Sequence, residues 1–388
     1  MNGEGREVAV AGIGYSLVTR GDSPDSRVLT LTACKAALAD AGISGVDVDG
    51  VFQYSFGFES PNATYVQRAL GIPNLNAFQD IMGSGPSGLA GAQGAAAAIA
   101  SGVCDTAVVF RTMTQPAGHT GRVMDAPVVA AGPSQFSTVY GYAGALIPMM
   151  GMRKARYLHQ YDRREEDTYG VLAVNGRKWS AMNERAALRE PITIDDYMNA
   201  RFVADPLRLL DCDYPINGTT AVVMTTAEKA ADMQHAPVFV DSMAYGTGKE
   251  ADWTYGDDLL YGGTLDCCER LYAKSSIKPS DLATLGLYDG FTHITISWVE
   301  ALGLCGLGEF GDWVDGGKTI NPGGSIPLNT SGGQLAEGRL HGLGLLAEVV
   351  NQMRGTAGER QIADARFGAV TNAHGPQCGA MLLRLDPA

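Results

Sequence analysis

The sequence lacks the features that are typical of membrane, nucleic-acid-binding and zinc proteins. No apolar run is long enough to span a membrane, and residues 1–7 lack the charged-then-apolar order of a signal peptide, so we expect a cytoplasmic protein with no membrane partner. Lysine and arginine total 29 against 42 aspartates and glutamates, and the net charge of -13 argues against nucleic acid as a partner. The seven cysteines show no CxxC pair and no Cys/His spacing suited to zinc, so we predict free thiols and no metal site.

The chain is rich in glycine and alternates between strand and helix patterns. Its 388 residues are 45% hydrophobic, and its 50 glycines suit an α/β protein with many tight turns. Apolar strand patterns at 7–13 and 105–110 flank an Ala-rich helix that reaches Ser101, and the alternation resumes after Pro237. The chain therefore predicts an α/β fold.

The second part of the chain repeats the pattern of the first. A glycine turn followed by a long helix occurs at 83–102 and again at 330–353. This weak internal symmetry predicts two duplicated halves, residues 1–235 and 236–388.

Residues 112–205 break the alternation and predict a helical cap, or loop domain, inserted in the first half. The segment opens with glycine and proline and continues with polar helices and more charge than the rest of the chain. Cap segments often cover a substrate, so cations in this segment are candidate phosphate contacts, although a solvent-facing helix position is the alternative for each. The candidates are Arg153, Lys154, Arg156 and Arg163.

A glycine turn at residues 82–89 opens the Ala-rich helix and holds no nucleophile stronger than a serine hydroxyl. Unpaired backbone N–H groups and the helix dipole favour negative charge at such a helix start. We expect Gly85, Pro86 and Ser87 to form a resting place for an oxyanion. The alternative is an ordinary strand-to-helix turn that glycines allow to pack closely.

Several motifs in this order resemble the thiolase superfamily over nearly the whole chain. They are the segments 204–207, 210–212, 288–292, 328–333 and 338–342. The resemblance is closest to the lipid-transfer-protein or sterol-carrier thiolase-like branch. It implies a duplicated αβαβα layered fold and a homodimer.

The departures from the thiolase pattern concern the reacting residues. Gly85 stands where a thiolase carries its acylated cysteine, so a covalent acyl-cysteine is excluded at that position. The thiolase histidine falls at Arg339, with His341 two residues later, and the final thiolase cysteine aligns ambiguously near His374 or Cys378.

A thiolase fold without its nucleophile resembles the steroid side-chain aldolases of the lipid-transfer-protein type. This resemblance implies retro-aldol cleavage of a β-hydroxyacyl-CoA to a ketone and a short acyl-CoA, with no cofactor beyond the coenzyme A thioester itself. It also implies a separate small OB-fold and zinc-ribbon accessory protein, which would carry any zinc. The expected assembly is a homodimer within a heterotetramer.

Retro-aldol chemistry needs a base for the hydroxyl proton, donors for the thioester enolate and a proton for Cα. We expect Tyr288 to be the base or a proton relay, because positive charge near a tyrosine lowers its pKa. His341 is expected to stabilise the enolate together with the 85–87 turn. Arg339 is expected either to lower the tyrosine pKa or to bind the thioester oxygen.

Three further residues are weaker candidates for the same site. His293 lies on an apolar helix after Tyr288, Tyr245 is a candidate proton donor, and His374 is a candidate to orient a donor or to protonate Cα. Asp289 has a competing structural role as a cap of the helix that begins near Thr292.

Two other functions compete with the lyase. One is a thiolase-fold acyltransferase or Claisen enzyme that uses His374 or Cys378 in place of the missing cysteine. The other is a non-catalytic acyl-CoA or lipid carrier.

Overall fold

The computed structural model describes residues 5–56, 59–83, 87–114, 146–249, 258–375 and 377–387. The strands in these ranges are β1 (Val8–Tyr15), β2 (Gly50–Ser55), β3 (Ala77–Met82), β4 (Thr106–Met113), β5 (Phe202–Ala204), β6 (Leu207–Arg208), β7 (Gly218–Thr226), β8 (Val238–Gly246), β9 (Thr284–Gly286), β10 (Phe367–Ala373) and β11 (Cys378–Arg384). Strands β5 and β6 pair with each other, and the other nine form one mixed sheet.

The order of the large sheet, β3-β2-β4-β7-β1-β8-β11-β10-β9, is symmetric about the β1–β8 pair except for the edge strand β3, which has no counterpart in the other half. On one side β7 is antiparallel to β1 and to β4, and β2 is parallel to β4. On the other side β11 is antiparallel to β8 and to β10, and β9 is parallel to β10. Strands β1 and β8 share two residue pairs, Ala9–Phe239 and Val10–Val238, so the two halves of the sheet meet at a narrow joint.

The described helices range from single turns to sixteen residues. They are α1 (Ser26–Ala41), α2 (Ala63–Leu70), α3 (Ser87–Ala100), α4 (Leu146–Gln160), α5 (Val171–Ala181), α6 (Ile194–Asn199), α7 (Ala227–Ala230), α8 (Thr264–Tyr272), α9 (Thr292–Ala301), α10 (Phe310–Val314), α11 (Gly333–Ala336) and α12 (Leu343–Arg354). A π-helical turn, Glu166–Gly170, precedes α5. None of the helices within the described ranges has the length and apolar character that crossing a bilayer requires.

The two halves of the large sheet form separate layers, and with the helices between and outside them they make five layers. Helices α3 and α12 lie in the middle, where Leu89 and Ala92 of α3 and Leu343 and Leu346 of α12 share one core with strands of both sheet halves. Helices α1 and α2 cover the outer face of the first half, and α8 and α9 cover that of the second. This is the predicted αβαβα arrangement.

Small residues allow α3 to fit between two sheet layers. A Cβ atom at Gly94 would lie 2.5 Å from the Gln79 side chain, and one at Gly91 would lie 3.1 Å from Val109. Close packing of this kind leaves no room for a larger side chain at either of these two positions.

The described part of the predicted cap is helical, as expected, but less polar on its inner face than the sequence indicates. Residues 115–145 lie outside the described residues. Helix α5 is buried over most of its length, and its Val171, Leu172 and Ala173 join the core of the second half. The cap therefore packs into the body of the protein.

Candidate active site

His341 lies on the turn between α11 and α12, where the first residues of the two middle-layer helices, α3 and α12, meet. Its carbonyl oxygen accepts hydrogen bonds from the Gly88 N–H of α3 (2.9 Å) and from Asn372 Nδ2 of β10 (2.7 Å). A Cβ at Gly88 would lie 2.5 Å from that oxygen, so glycine is required for this approach. The backbone of His341 is left-handed, with φ of 49°, a conformation that costs energy and is frequent at functional sites.

The predicted oxyanion turn lies only partly within the described residues. Gly85 and Pro86 lie outside the described residues, and Ser87 is the first residue of α3. Before this segment, the Tyr54 hydroxyl donates to the Gly83 carbonyl. The described N-terminus of α3 nevertheless lies against the His341 turn, where the helix dipole favours negative charge.

Arg111 of β4 is a site residue that the sequence analysis missed. Its side chain is 0% exposed, and its Nη2 lies 2.9 Å from Nδ1 of His341 and 2.7 Å from Oε1 of Glu59. The guanidinium also lies over the Tyr54 ring, 5.0 Å from the centroid. An arginine inside the apolar run of residues 106–113 was the available signal, because a buried charge requires a partner.

A second ion pair, between Arg339 and Asp213, borders Arg111 and His341. Arg339 Nη1 lies 3.3 Å from Oδ1 of Asp213, and the charge of Arg339 also lowers the pKa of His341 and of Arg111. Burial raises the pKa of Asp213 to about 6, although Arg339 opposes the shift. Asp213 was not predicted from the sequence.

Tyr288 lies beside this ion pair, but its electrostatic environment is the reverse of the prediction. Burial raises the pKa of the Tyr288 phenol, and the charge of Asp213 raises it further. Arg339 lowers it as predicted, but by less than the opposing effects. The phenol therefore stays protonated at neutral pH, which favours the predicted relay over the predicted base.

His293 and His374 belong to a buried cluster around the Leu260 carbonyl. That oxygen lies 3.2 Å from Nε2 of His293 and 2.8 Å from Nε2 of His374. Burial lowers the pKa of His293 to about 3 and that of His374 well below its usual value, and Arg153 adds to both shifts. Both rings are neutral, and no hydrogen bond or ring contact in the described ranges joins either of them to His341.

Tyr245 and Cys378 lie at the paired ends of β8 and β11. Tyr245 is 45% exposed and pairs with Gly379, and a role in proton donation stays a prediction. Cys378 is buried, and both its contact with Cys267 and its burial raise the pKa of its thiol. The thiol therefore lacks the depressed pKa that an attacking cysteine requires.

Two of the four cap cations do not fit the phosphate prediction. The Lys154 ammonium is buried and uses its three donors on Glu165 (2.5 Å), Asp211 (2.7 Å) and the Tyr197 hydroxyl (2.8 Å), so none remains for a phosphate. Arg153 is also buried, and its Nε donates to the Leu259 carbonyl. Lys154 therefore joins elements of the cap to Asp211, and Arg153 joins the cap to the second half at Leu259.

The other two cap cations are more accessible. Arg163 pairs with Asp312 at 2.8 Å, whereas Arg156 is exposed and bonds Gln160 of its own helix. Contact of either residue with coenzyme A stays a prediction.

Asp289 has a capping role, but at a different helix from the one predicted. Its Oδ1 accepts from the Gln334 N–H of α11 at 2.9 Å, whereas Thr292 donates to Asp211. Gly333, with φ of 61°, leaves room for the carboxylate, because a Cβ there would lie 1.9 Å from Asp289 Oδ2. Within the described ranges, no group of three or more His, Cys, Asp or Glu side chains is arranged to hold a metal ion.

The chain is similar over its whole length to two curated proteins, and the Thiolase C-terminal domain-like family matches residues 249–383. It is 34% identical over 389 residues to the 17-hydroxy-3-oxo-4-pregnene-20-carboxyl-CoA lyase of Mycobacterium tuberculosis, with 97% of this chain and 99% of that protein covered. It is 32% identical over 393 residues to a steroid side-chain-cleaving aldolase of Thermomonospora curvata, with 97% and 98% covered.

A solved structure gives the same result. A structure described as an Ltp2-ChsH2(DUF35) aldolase superposes with a TM-score of 0.88 at 31% identity and covers 99% of both chains. The layered fold, the motif order and these full-length similarities agree. The chain belongs to the thiolase superfamily, in the lipid-transfer-protein branch that includes the steroid side-chain-cleaving aldolases.

Proposed function

We propose that this protein is a carbon–carbon lyase that cleaves a β-hydroxyacyl-CoA by a retro-aldol reaction. The proposed substrate class is a steroid side-chain CoA thioester with a tertiary hydroxyl β to the thioester carbonyl. The name of the first relative contains a 17-hydroxy group and a carboxyl-CoA, and the name of the second refers to cleavage of a steroid side chain. The hydroxyl loses its proton, the Cα–Cβ bond breaks, and its electron pair forms the thioester enolate while Cβ becomes a ketone. Protonation of the enolate at Cα gives the short acyl-CoA.

The polar residues around His341, namely Arg111, Arg339, Asp213 and Tyr288, supply the required groups without a covalent intermediate. The N-termini of α3 and α12, together with His341 and Arg339, favour the negative charge of an enolate. Because the Tyr288 phenol stays protonated, we assign it as a relay that takes the hydroxyl proton while passing its own to Asp213. A carboxylate with a pKa of about 6 is ionised at neutral pH and is basic enough to accept that proton.

The observation that carries the lyase proposal is the full-length similarity to two enzymes named for carbon–carbon cleavage. The acyltransferase alternative needs an activated nucleophile. Position 85 is glycine, and the Cys378 thiol is buried with a raised pKa. The carrier alternative gives no reason for a buried, charged cluster at the meeting point of two helix N-termini.

The decisive experiment measures ketone and short acyl-CoA together after the protein is mixed with a 17-hydroxy steroid side-chain CoA thioester. Equimolar release of the two products is expected, and no acyl group should be found on Cys378 by mass spectrometry. Tyr288→Phe is expected to lower kcat by about 10²-fold or more, because general acid–base groups contribute that much. Binding without cleavage would favour the carrier, and an acylated Cys378 would favour the acyltransferase.

The assembly is part of the proposal. The solved relative is described with a second component, so we propose that this chain works with a small OB-fold and zinc-ribbon partner that carries any zinc. Strand β3 is an edge strand with Phe78 58% and Met82 55% exposed, which suits pairing with a second copy about a two-fold axis. The proposed complex is a heterotetramer in the cytoplasm, and the assay is run with and without the partner.

A further inference from the structure

The geometry around His341 determines which ring nitrogen carries its proton. Arg111 approaches Nδ1 with two groups, Nη2 at 2.9 Å and Nε at 3.3 Å. A guanidinium has only donors and no acceptor, so Nδ1 must present its lone pair. The ring proton of a neutral His341 is then on Nε2.

Arg111 is itself held rigidly in this orientation. It lies on β4, an interior strand of the sheet, in register with Tyr54 of β2 and Thr220 of β7. Its Nη1 donates to the Tyr54 carbonyl at 3.2 Å and to the Thr112 carbonyl, while Glu59 balances its charge. A buried cation with this many fixed partners has little freedom to turn away from the ring.

The charges that face His341 from each neighbouring element act in the same direction. Arg111 lies on β4 and Arg339 lies two residues before the ring, whereas β2 presents the neutral Tyr54 ring edge-on, at 5.8 Å. Each of these arginines is paired with a carboxylate, Arg111 with Glu59 and Arg339 with Asp213. Burial and the two cations together lower the pKa of His341 well below its usual value.

We propose that Arg111 is a positioning residue that fixes His341 as the neutral tautomer protonated on Nε2, so that His341 donates a hydrogen bond to the thioester oxygen and does not transfer protons. The part of this proposal that concerns the thioester rests on the function proposed above. No described residue accepts a hydrogen bond from Nε2, so that donor is available to a substrate. The assignment also leaves proton transfer to Tyr288 and Asp213.

The test is the ¹⁵N spectrum of the histidine rings in the full chain, labelled at its six histidines. His341 is assigned by comparison with His341→Gln. In the unmodified chain its Nδ1 is expected to give a pyridine-type signal and its Nε2 a pyrrole-type signal, with no change between pH 5.5 and 9. A protonated Nδ1, or a ring that titrates in this range, would overturn the proposal.

Two substitutions separate the charge of Arg111 from its bulk. Arg111→Gln removes one of the two cations and introduces an acceptor, so Nδ1 of the His341 ring is expected to become protonated in a measurable fraction of the molecules, and the pKa of the ring is expected to rise from its lowered value. Arg111→Lys keeps a cation that only donates, and is expected to keep the tautomer. A ring in Arg111→Gln that behaves as in the unmodified chain contradicts the role of Arg111.

The matched control is Arg354→Gln at the far end of α12. Arg354 is also buried and pairs with a carboxylate, Asp40, at 3.2 Å. Its replacement is expected to leave the His341 signals unchanged, which excludes a general effect of losing a buried arginine.

The activity readout completes the test. Arg111→Gln is expected to lower kcat by about 10²-fold, the cost typical of losing one oriented donor. A kcat equal to that of the unmodified chain would remove Arg111 from the mechanism. If no CoA thioester is cleaved by the unmodified chain while the spectra behave as expected, the proposed function fails and the control of the tautomer by Arg111 stands.

Discussion

At the residue scale, the two buried carboxylates Asp213 and Asp289 are distinguished by their surroundings. The pKa of Asp213 is raised to about 6 beside Arg339 and Tyr288. The pKa of Asp289 is raised to about 7, but its carboxylate accepts backbone N–H groups of α11. The first is the acceptor that we propose for the Tyr288 proton, whereas the second holds a helix in position.

Asp213 predicts a specific pH dependence of activity. The carboxylate accepts a proton only when it is ionised, so kcat/KM is expected to rise with pH through about 6 and then level off. Asp213→Asn is expected to lose this rise and to lower kcat by about 10²-fold or more. Initial rates measured from pH 5 to pH 8 check both. An unchanged profile in the variant would show that another group accepts the proton.

Asp289 predicts a pH dependence of stability with the opposite sign to that of a paired surface carboxylate. Its folded pKa of about 7 exceeds the ordinary value of 3.8, so the folded state binds the proton more tightly. The stabilisation is therefore complete below about pH 4 and is lost as the pH rises towards 7, with a total of at most about 4 kcal/mol. Asp289→Asn keeps an acceptor for Gln334 and is expected to flatten this part of the curve. Urea unfolding at pH 5 and pH 8 measures the free energy of unfolding of both proteins. An equal change between the two pH values in the unmodified chain and in Asp289→Asn would contradict the raised pKa of Asp289.

At the element scale, the approach of α3 to the His341 turn is the tightest constraint on the site. Gly88 and Gly344 both lie in the first turn of an inner helix, but a Cβ at Gly88 would lie 2.5 Å from the His341 carbonyl, and one at Gly344 would meet only Thr220 at 3.8 Å. The two positions therefore form a matched pair for substitution by alanine.

Gly88→Ala is expected to displace the His341 turn and to lower kcat by about 10²-fold, because a shift of about 1 Å in a reacting group has an effect of this size. Gly344→Ala is expected to keep activity and to raise the melting temperature slightly, since alanine favours a helix over glycine by up to about 1 kcal/mol. Thermal unfolding and initial rates of both variants test this. Equal behaviour of the pair would mean that the close contact does not control the site.

The sequence predicted elements better than it predicted contacts between them. The Ala-rich helix α3 and the apolar strand β4 are visible in their composition, and Arg339 and His341 stand out as polar residues in a glycine-rich turn. Arg111 and His341, however, are 230 positions apart, and no local pattern shows that they meet. The pKa of Tyr288 was misjudged for the same reason, because its sign depends on burial and on a distant carboxylate.

At the scale of the whole molecule, the symmetric sheet brings two helix N-termini to one point. Helices α3 and α12 hold corresponding places in the two halves of the symmetric sheet, and both lie between the sheet halves. Their starts meet at the His341 turn, where the Gly88 N–H contacts the His341 carbonyl. A duplicated fold therefore provides a position that favours negative charge, and the residues around it determine the chemistry performed there.

The edge strand β3 makes the oligomeric state testable. An uncovered edge with exposed apolar side chains tends to pair with another strand, and charges on such an edge prevent it. The unmodified chain is expected to be a dimer by light scattering, and Phe78→Lys combined with Met82→Lys is expected to be a monomer of unchanged secondary structure. Phe202→Lys is the control. Phe202 is 46% exposed but lies on the separate strand β5, so this substitution is expected to leave the dimer intact. A monomeric unmodified chain, or a doubly substituted chain that stays dimeric, would show that β3 is not the dimer contact.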